Sequence, residues 1–175
     1  MRDCDYATAK SEIETFFWTE LADNYLEMSK QRLYDPAVAT HAGARFTLYY
    51  VLLAVIKLLA PFLPYVTEEI YQGMFAEKEA QAGRASPSIH RSTWPTLWPE
   101  DKDEAAEVVG ALLVEIATAV RRFKSERNLP LGTELSRVQL AVGAGVEASA
   151  AASLRQALRD AAPDLVSITR ALQVE

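Results

Sequence analysis

The sequence is poor in the residue types on which most catalytic and metal sites depend. Cysteine occurs once, as Cys4, and histidine twice, as His41 and His90. A single cysteine excludes an internal disulfide framework and a cysteine-rich zinc site, and two histidines exclude a histidine-rich metal centre. Neither a glycine-rich phosphate loop nor a convincing Ser-His-Asp or Cys-His set can be found. We therefore expect this chain to catalyse nothing and to hold no cofactor and no metal.

Positive charge is also in short supply. The chain has 18 Lys and Arg residues against 24 Asp and Glu residues, which gives a formal net charge of −6. Proteins that coat nucleic acid gain their affinity from many phosphate contacts, so this charge balance excludes a general basic coat. Any nucleic-acid site in this chain must rest on a local basic patch.

What the sequence does contain is typical of a folded helical protein. Half of its 175 residues are hydrophobic and 24% are charged, while alanine is abundant and glycine occurs only 7 times. This length suits one domain or at most two, and this composition favours helices. The N-terminus has no targeting signal, and Lys57, Pro61 and Pro64 interrupt the most apolar stretch. We therefore expect a cytoplasmic protein with no membrane partner.

Hydrophobic periodicity predicts four helices in the first 130 residues. The second helix is apolar nearly all round, which predicts that other helices enclose it at the centre of a bundle. The acids at the start of the third helix match its dipole and are a poor acid/base pair, because adjacent helical side chains point about 100° apart. The helices are predicted over residues 1–35 (ended by Asp35-Pro36), from Ala44 to Leu59, from Thr67-Glu68-Glu69 to Met74, and, after a connector over 77–99, from Pro99 to near Asn128.

The pattern changes after residue 130. Val138, Leu140 and Val142 alternate with Gln139 and Ala141, which is the period of a half-buried strand. A further helix is predicted from Glu147 to Ala161, with Pro163 ending it, and Leu172-Gln173-Val174 is the candidate second strand. We predict an all-α helical domain over residues 1–130 and a small β-α-β appendage over residues 131–175.

A basic cluster near the end of the fourth helix is the best local candidate for a contact with RNA. It comprises Arg121, Arg122, Lys124 and Arg127, with Glu126 as the one acid among them. Arg121, Lys124 and Asn128 share one face of the helix, and that face could contact a phosphate. Cations at a helix C-terminus also complement the helix dipole, so a purely structural role stays equally open.

A second candidate lies on the first helix, where Trp18, Tyr25 and Arg32 are spaced seven residues apart. This spacing places them in a row beside the core face, where they could stack on bases. Such a row is more often a surface against which a neighbouring domain packs, and we regard that interpretation as the better supported of the two.

Four runs in a fixed order add a more specific signal. They are Glu12-Ile13-Glu14-Thr15-Phe16-Phe17-Trp18 with Asp23-Asn24-Tyr25-Leu26-Glu27 and Lys30-Gln31-Arg32-Leu33-Tyr34; Arg45-Phe46-Thr47-Leu48 leading into Leu58-Leu59-Ala60-Pro61-Phe62-Leu63-Pro64-Tyr65-Val66-Thr67-Glu68-Glu69-Ile70-Tyr71; Ser88-Ile89-His90 with Trp94-Pro95; and Arg122-Phe123-Lys124-Ser125-Glu126-Arg127-Asn128-Leu129. As a set, over roughly residues 5–142, they resemble the anticodon-binding domain of valyl-tRNA synthetases, which are class I aminoacyl-tRNA synthetases.

The resemblance implies an antiparallel helical bundle that holds the anticodon stem-loop of tRNA(Val). It also implies a catalytic domain of the same polypeptide, which joins valine to its tRNA using ATP. The family's two ATP-handling signatures have only imperfect counterparts here, His41-Ala42-Gly43-Ala44 and Glu27-Met28-Ser29-Lys30-Gln31. We therefore expect an excised anticodon-binding domain that binds RNA, with ATP used only by the parent enzyme.

Two alternatives stay open. Isoleucyl-tRNA synthetases are similar in Arg32-Leu33-Tyr34 and in the apolar second helix, although the Phe-Phe-Trp run favours valine. A helical protein-interaction module that binds no RNA is the other alternative, and the acidic net charge favours it. The resemblance transfers the role of the domain but no individual base contact. The candidate RNA-binding residues are Lys30, Arg32, Arg45, Arg121 and Lys124.

Overall fold

The computed structural model describes residues 5–96, 102–141, 143 and 148–175. Cys4, Val142 and the helix starts predicted at Pro99 and Glu147 lie outside the described residues. Every regular element within these ranges is a helix, so the predicted all-α class is confirmed. The elements are α1 (Tyr6–Thr15), a first π-helical segment (Phe16–Leu26), α2 (Glu27–Tyr34), α3 (His41–Leu59), α4 (Pro64–Ile70), a second π-helical segment (Tyr71–Phe75), α5 (Ala76–Gln81), a 3-10 turn (Ile89–Arg91), α6 (Glu104–Glu126), α7 (Ala148–Asp160) and α8 (Ala162–Thr169).

The chain divides into two compact units. The first unit comprises Met1–Leu21 and Ala37–Trp98, and the second comprises Ala22–Pro36 and Pro99–Glu175. Helix α6 therefore falls in the same unit as residues 131–175. The predicted domains over residues 1–130 and 131–175 stay a prediction.

The first predicted helix is present, but it changes its winding. The side chain of Asp5 caps the start of α1 by accepting the Thr8 N–H at 3.1 Å. From Phe16 to Leu26 the winding is π-helical, with hydrogen bonds that span five residues instead of four. The helix ends at Tyr34, before Asp35 and its proline neighbour, as predicted.

The first unit packs around a cluster of buried apolar side chains. Pro64 opens α4 at a position where its missing N–H costs no hydrogen bond. Full burial of each large apolar side chain contributes about 1.5–3 kcal/mol. The cluster consists of Leu53, Ile56, Ala60, Tyr71, Phe75 and Ile89.

Helix α3 is not enclosed on all sides, which corrects the prediction that it lies at the centre of a bundle. Leu53, Val55 and Ile56 are buried, whereas the side chains of Phe46 and Tyr50 are 69% and 38% exposed. Apolar composition alone did not distinguish the packed face from the exposed one, because large apolar residues occupy both.

Helix α3 is also long enough and apolar enough to cross a membrane, judged by length and composition alone. It has 19 residues, and its mean hydropathy over 18 of them is 1.6. Of the three expected interruptions, Lys57 lies within the helix, whereas Pro61 and Pro64 follow its end at Leu59. The core helix of a soluble protein passes the same test, so the absence of a membrane partner stays a prediction.

The second unit packs around Met28, Leu113, Ala117 and Leu165. Asp103 caps α6, since its carboxylate accepts two backbone N–H groups of the first turn, each at 3.0 Å. Helix α6 therefore begins at Glu104, later than the predicted start at Pro99, and Lys102 and Asp103 precede it. The helix closes where Asn128 adopts a left-handed φ of 54° and the Leu129 N–H reaches the Lys124 carbonyl at 2.8 Å.

The end of the chain differs in part from the prediction. The helix predicted to end at Ala161 ends at Asp160, but Pro163, which was expected to stop it, lies in the first turn of α8. Proline is favoured at that position, so it starts a helix here instead of stopping one. Residues 135–140 and 171–175 meet in parallel only at two isolated bridges, and the described residues contain no strand. The β-α-β appendage stays a prediction.

Candidate nucleic-acid interface

Lys124, one of the five candidate RNA-binding residues, lies inside the second unit. Its side chain is 1% exposed, and Nζ donates to the carbonyls of Leu131 and Thr169 at 2.8 and 2.9 Å. Burial lowers the pKa of the Lys124 ammonium, and the nearby charge of Arg170 adds to that effect. Two of the three N–H groups of this ammonium are therefore engaged inside the unit. A role in RNA binding therefore stays a prediction, while the contacts seen are those of a structural lysine.

Arg121 and Arg32 also point to partners within the second unit. Arg121 donates to the side-chain oxygen of Asn24 at 2.9 Å and to the carbonyl of Asp23. Arg32 forms a bidentate pair with Asp164, with both N···O distances at 2.9 Å. Burial raises the pKa of the Asp164 carboxyl, and the adjacent Arg32 partly offsets this shift. Both arginines join segments that are far apart in the sequence, so their guanidinium groups already have structural partners.

Lys30 and Arg45 are the most accessible of the five candidates. Lys30 is paired one turn back with Glu27 at 2.6 Å, and its side chain is 40% exposed. Arg45, in the first turns of α3, is exposed and makes no ion pair within the described part of the chain. Arg45 belongs to the first unit and the other four candidates belong to the second, so each unit has to be considered separately.

A cavity of about 380 Å³ in the second unit combines charges of both signs. Arg121, Lys124 and Arg170 line it together with Asp23 and Glu27. Carboxylates at the rim repel phosphate, so this cavity is not a purely cationic groove of the kind that binds a nucleic-acid backbone. The predicted basic face on α6 therefore becomes a mixed surface once α2 and α8 are in place.

The first unit contains an exposed group of aromatic side chains that the sequence did not predict as a site. We call Phe46, Tyr50 and Trp94 the aromatic surface. Their side chains are 69%, 38% and 56% exposed, and the three line one cavity of about 220 Å³. In the sequence, this surface is indicated only by the spacing of four residues between Phe46 and Tyr50, next to Arg45. The same spacing is typical of a buried helix face.

The Ser88-Ile89-His90 run has a structural role in the same unit. The Glu68 carboxylate accepts the Ser88 hydroxyl at 2.7 Å and the Ile89 N–H at 3.0 Å. Glu68 is not in the first turn of α4, so the dipole explanation predicted for it is wrong. Hydrogen bonds from Gln72 and Ser88 hold the pKa of the Glu68 carboxyl below its usual range. Glu68 therefore anchors the connector, and it brings the buried Ile89 into the core.

The family whose description is "Anticodon-binding domain of tRNA ligase" matches residues 1–140 of this chain. The chain belongs to this family. The anticodon-binding domain described here is 40% identical to the valine–tRNA ligase of Methanopyrus kandleri over 166 residues, which are 93% of this chain and 16% of that protein. It is 39% identical to the enzyme of the same name from Pyrococcus furiosus over 74% of this chain and 14% of that protein. It is 36% identical to the valine–tRNA ligase of Ehrlichia canis over 77% of this chain and 16% of that protein.

The comparisons confirm the resemblance that the four sequence runs indicated. The chain spans about a sixth of the length of the curated relatives that it matches. The match covers both units, since residues 1–140 include the whole of the first unit and helices α2 and α6 of the second. An anticodon-binding domain binds tRNA, so one of the surfaces described above contacts the RNA.

Proposed function

We propose that this domain binds the anticodon stem-loop of tRNA(Val) as part of a valine–tRNA ligase. The catalytic domain of that polypeptide lies outside this chain, and it would use ATP to join valine to the tRNA. The carrying observation is the family match across residues 1–140, together with identities of 36–40% to proteins named valine–tRNA ligase. The domain itself would bind RNA without catalysis and without a cofactor, in the cytoplasm.

The positions of the cations support binding through a small number of contacts with RNA phosphates. Arg45 is exposed without an ion pair within the described residues, and Lys30 is partly exposed beside Glu27. Arg32, Arg121 and Lys124 are engaged in the second unit, so they contribute by holding its helices together. A few accessible cations would add modest affinity despite the net charge of −6.

A gel-shift panel tests the proposal directly. The 175-residue chain is titrated at low salt with transcripts of tRNA(Val), of tRNA(Ile), and of tRNA(Val) that carries the isoleucine anticodon loop. We expect the tightest binding to tRNA(Val), and we expect the exchange of the loop to weaken it. The isoleucyl alternative predicts the opposite preference. Equal affinity for all three transcripts would show that the chain binds RNA as a polyanion only, and would contradict the proposal.

A protein-interaction role without RNA is the second candidate, and the exposed aromatic side chains favour it. Trp18 is 62% exposed and Phe46 is 69% exposed, and exposed apolar patches can mark protein interfaces. Binding to a separately purified catalytic domain, with no shift of any transcript at low salt, would support this candidate instead. Binding to both would agree with the proposed function.

A further inference from the structure

The aromatic surface of the first unit has the geometry of a stacking platform. Phe46 and Tyr50 lie one helical turn apart on α3, with ring centroids 6.1 Å apart and ring planes within 13° of parallel. The Tyr50 hydroxyl donates to the carbonyl of Thr96 at 3.2 Å, which ties the Trp94 segment to α3. Trp94 lines the same cavity as the two α3 rings. Three large rings are therefore held in one exposed site by local contacts.

The charges around this site favour an anionic partner. Lys57 and Arg84 line the cavity, and Arg45 precedes Phe46 on the exposed surface of α3. Among the described lining residues the one acid is Glu79, which is 3% exposed and accepts hydrogen bonds from both Tyr49 and Arg84. Arg84 and Glu79 offset each other's charge. Among the described residues, the positive charge of the site therefore comes from Lys57 in the lining and from the exposed Arg45.

The size of the cavity limits what can enter it. At about 220 Å³ it is smaller than the roughly 300–1,000 Å³ of most small-molecule sites. The opening therefore suits one flat group that lies against the rings better than it suits a whole cofactor. Unpaired nucleotides offer flat bases attached to phosphates, and proteins bind such bases by stacking them on aromatic side chains beside basic residues.

We propose that Phe46, Tyr50 and Trp94 form a stacking site for unpaired bases of the bound RNA, with Arg45 contacting an adjacent phosphate. This inference rests on the proposed function, because it assumes that the domain binds a tRNA loop. It assigns the unpaired nucleotides to the first unit. Arg121 and Lys124, which are held inside the second unit, have no part in the site.

Variants that remove either an aromatic ring or a positive charge distinguish base stacking from phosphate contact. The chain is titrated with the tRNA(Val) transcript over a range of salt concentrations, comparing wild type with Phe46→Leu, Trp94→Leu and Arg45→Gln. Loss of one stacked base weakens binding by roughly 5- to 150-fold, and the salt slope stays unchanged. Loss of one phosphate contact lowers the salt slope by about 0.7–0.9. Phe46→Tyr keeps a ring, so it should bind like wild type.

Tyr65→Leu is the control, because Tyr65 is also an exposed aromatic residue of the first unit but does not line the cavity. Its side chain is 90% exposed. We expect it to bind tRNA as wild type does, and circular dichroism will show whether each variant stays folded. A second readout is Trp94 fluorescence, which a single-stranded RNA with the anticodon-loop sequence should quench more strongly than a fully paired hairpin stem. Trp94→Phe identifies that signal.

The outcomes distinguish this inference from the proposed function. If wild type prefers tRNA(Val) but folded Phe46→Leu and Trp94→Leu bind it equally well, the stacking site is wrong and the proposed function stands. If wild type shifts no transcript, both fail. If the two variants retain RNA binding but lose binding to the purified catalytic domain of a homologous ligase, the site is a protein-docking surface, and the inference is overturned.

Discussion

Lys124 shows how far the role of a charged residue depends on what surrounds it. Lys124 is 1% exposed, and its ammonium donates to the carbonyls of Leu131 and Thr169. We expect Lys124→Ala to lower the free energy of unfolding by about 2–3 kcal/mol, because both carbonyls lose a charged donor. Urea denaturation of wild type and variant measures this difference.

Arg122 provides the control for that prediction on the same helix. Its side chain is 80% exposed and pairs with Glu126 one turn away, at 2.8 Å. Such exposed pairs contribute little, so Arg122→Ala should change the free energy of unfolding by less than about 0.5 kcal/mol. An equal effect of the two substitutions would mean that the Lys124 contacts are not structural.

Tyr49 makes the stability of the fold sensitive to alkaline pH. Burial raises the pKa of the Tyr49 hydroxyl to about 12, and its hydrogen bond to Glu79 adds to the shift. Between pH 10 and pH 12 the unfolded tyrosine loses its proton while the folded one keeps it. The unfolded state is then favoured, so the free energy of unfolding falls as the pH rises. We expect Tyr49→Phe to make this fall shallower, measured by urea denaturation at several pH values, whereas Tyr65→Phe should not.

At the scale of elements, Glu68 links α4 to the connector that follows α5. The pKa of its carboxyl is lowered in the folded state, so its contribution to stability is present above about pH 4.5 and is lost as the pH falls through the folded-state pKa. Glu68→Gln should therefore make the acid limb of the stability profile shallower. It should also speed hydrogen exchange at the Ile89 amide, which donates to this carboxylate. The adjacent, exposed Glu69 gives the control Glu69→Gln, for which we expect neither effect.

Which elements could be predicted depends on whether the signal is local. The ends of the first helix and α6 follow from Asp35-Pro36 and Asn128, because these residues act through their own backbone. The π-helical winding of Phe16–Leu26 and the exposure of Phe46 have no comparable local signal. Helical periodicity indicates neither the winding of a helix nor which of its apolar residues stay exposed, so these features could not be predicted from the sequence.

The candidate site was predicted only in part for the same reason. A helical wheel correctly places Lys124 beside Arg121, but it cannot show that residues 131 and 169 supply carbonyls to the lysine. The wheel also assigns large apolar residues to the core, so it does not distinguish the exposed Phe46 and Tyr50 as site residues. The family resemblance predicted the role of the domain correctly. The partners of the individual cations, in contrast, are visible only in the structure.

At the scale of the whole molecule, net charge is a poor guide to RNA binding. The net charge of −6 counts every charged residue of the chain, whereas a bound RNA contacts only the accessible cations. Counterion release depends on the number of phosphates that the protein neutralises. The slope of log affinity against log salt concentration therefore reports the cations that contact phosphate, and the other charged residues do not affect it. The domain should therefore show a shallow but measurable salt dependence with tRNA.

The salt slope also decides which unit provides the phosphate contacts. Arg45→Gln removes an exposed cation and should reduce the slope by about 0.7–0.9. Arg121→Gln keeps an amide donor for Asn24 and removes a cation that is engaged with its own unit, so the slope should not change even if affinity falls through loosened packing. Filter binding to tRNA(Val) at several salt concentrations measures both. A smaller slope for Arg121→Gln, with that of Arg45→Gln unaltered, would place the phosphate contacts in the second unit.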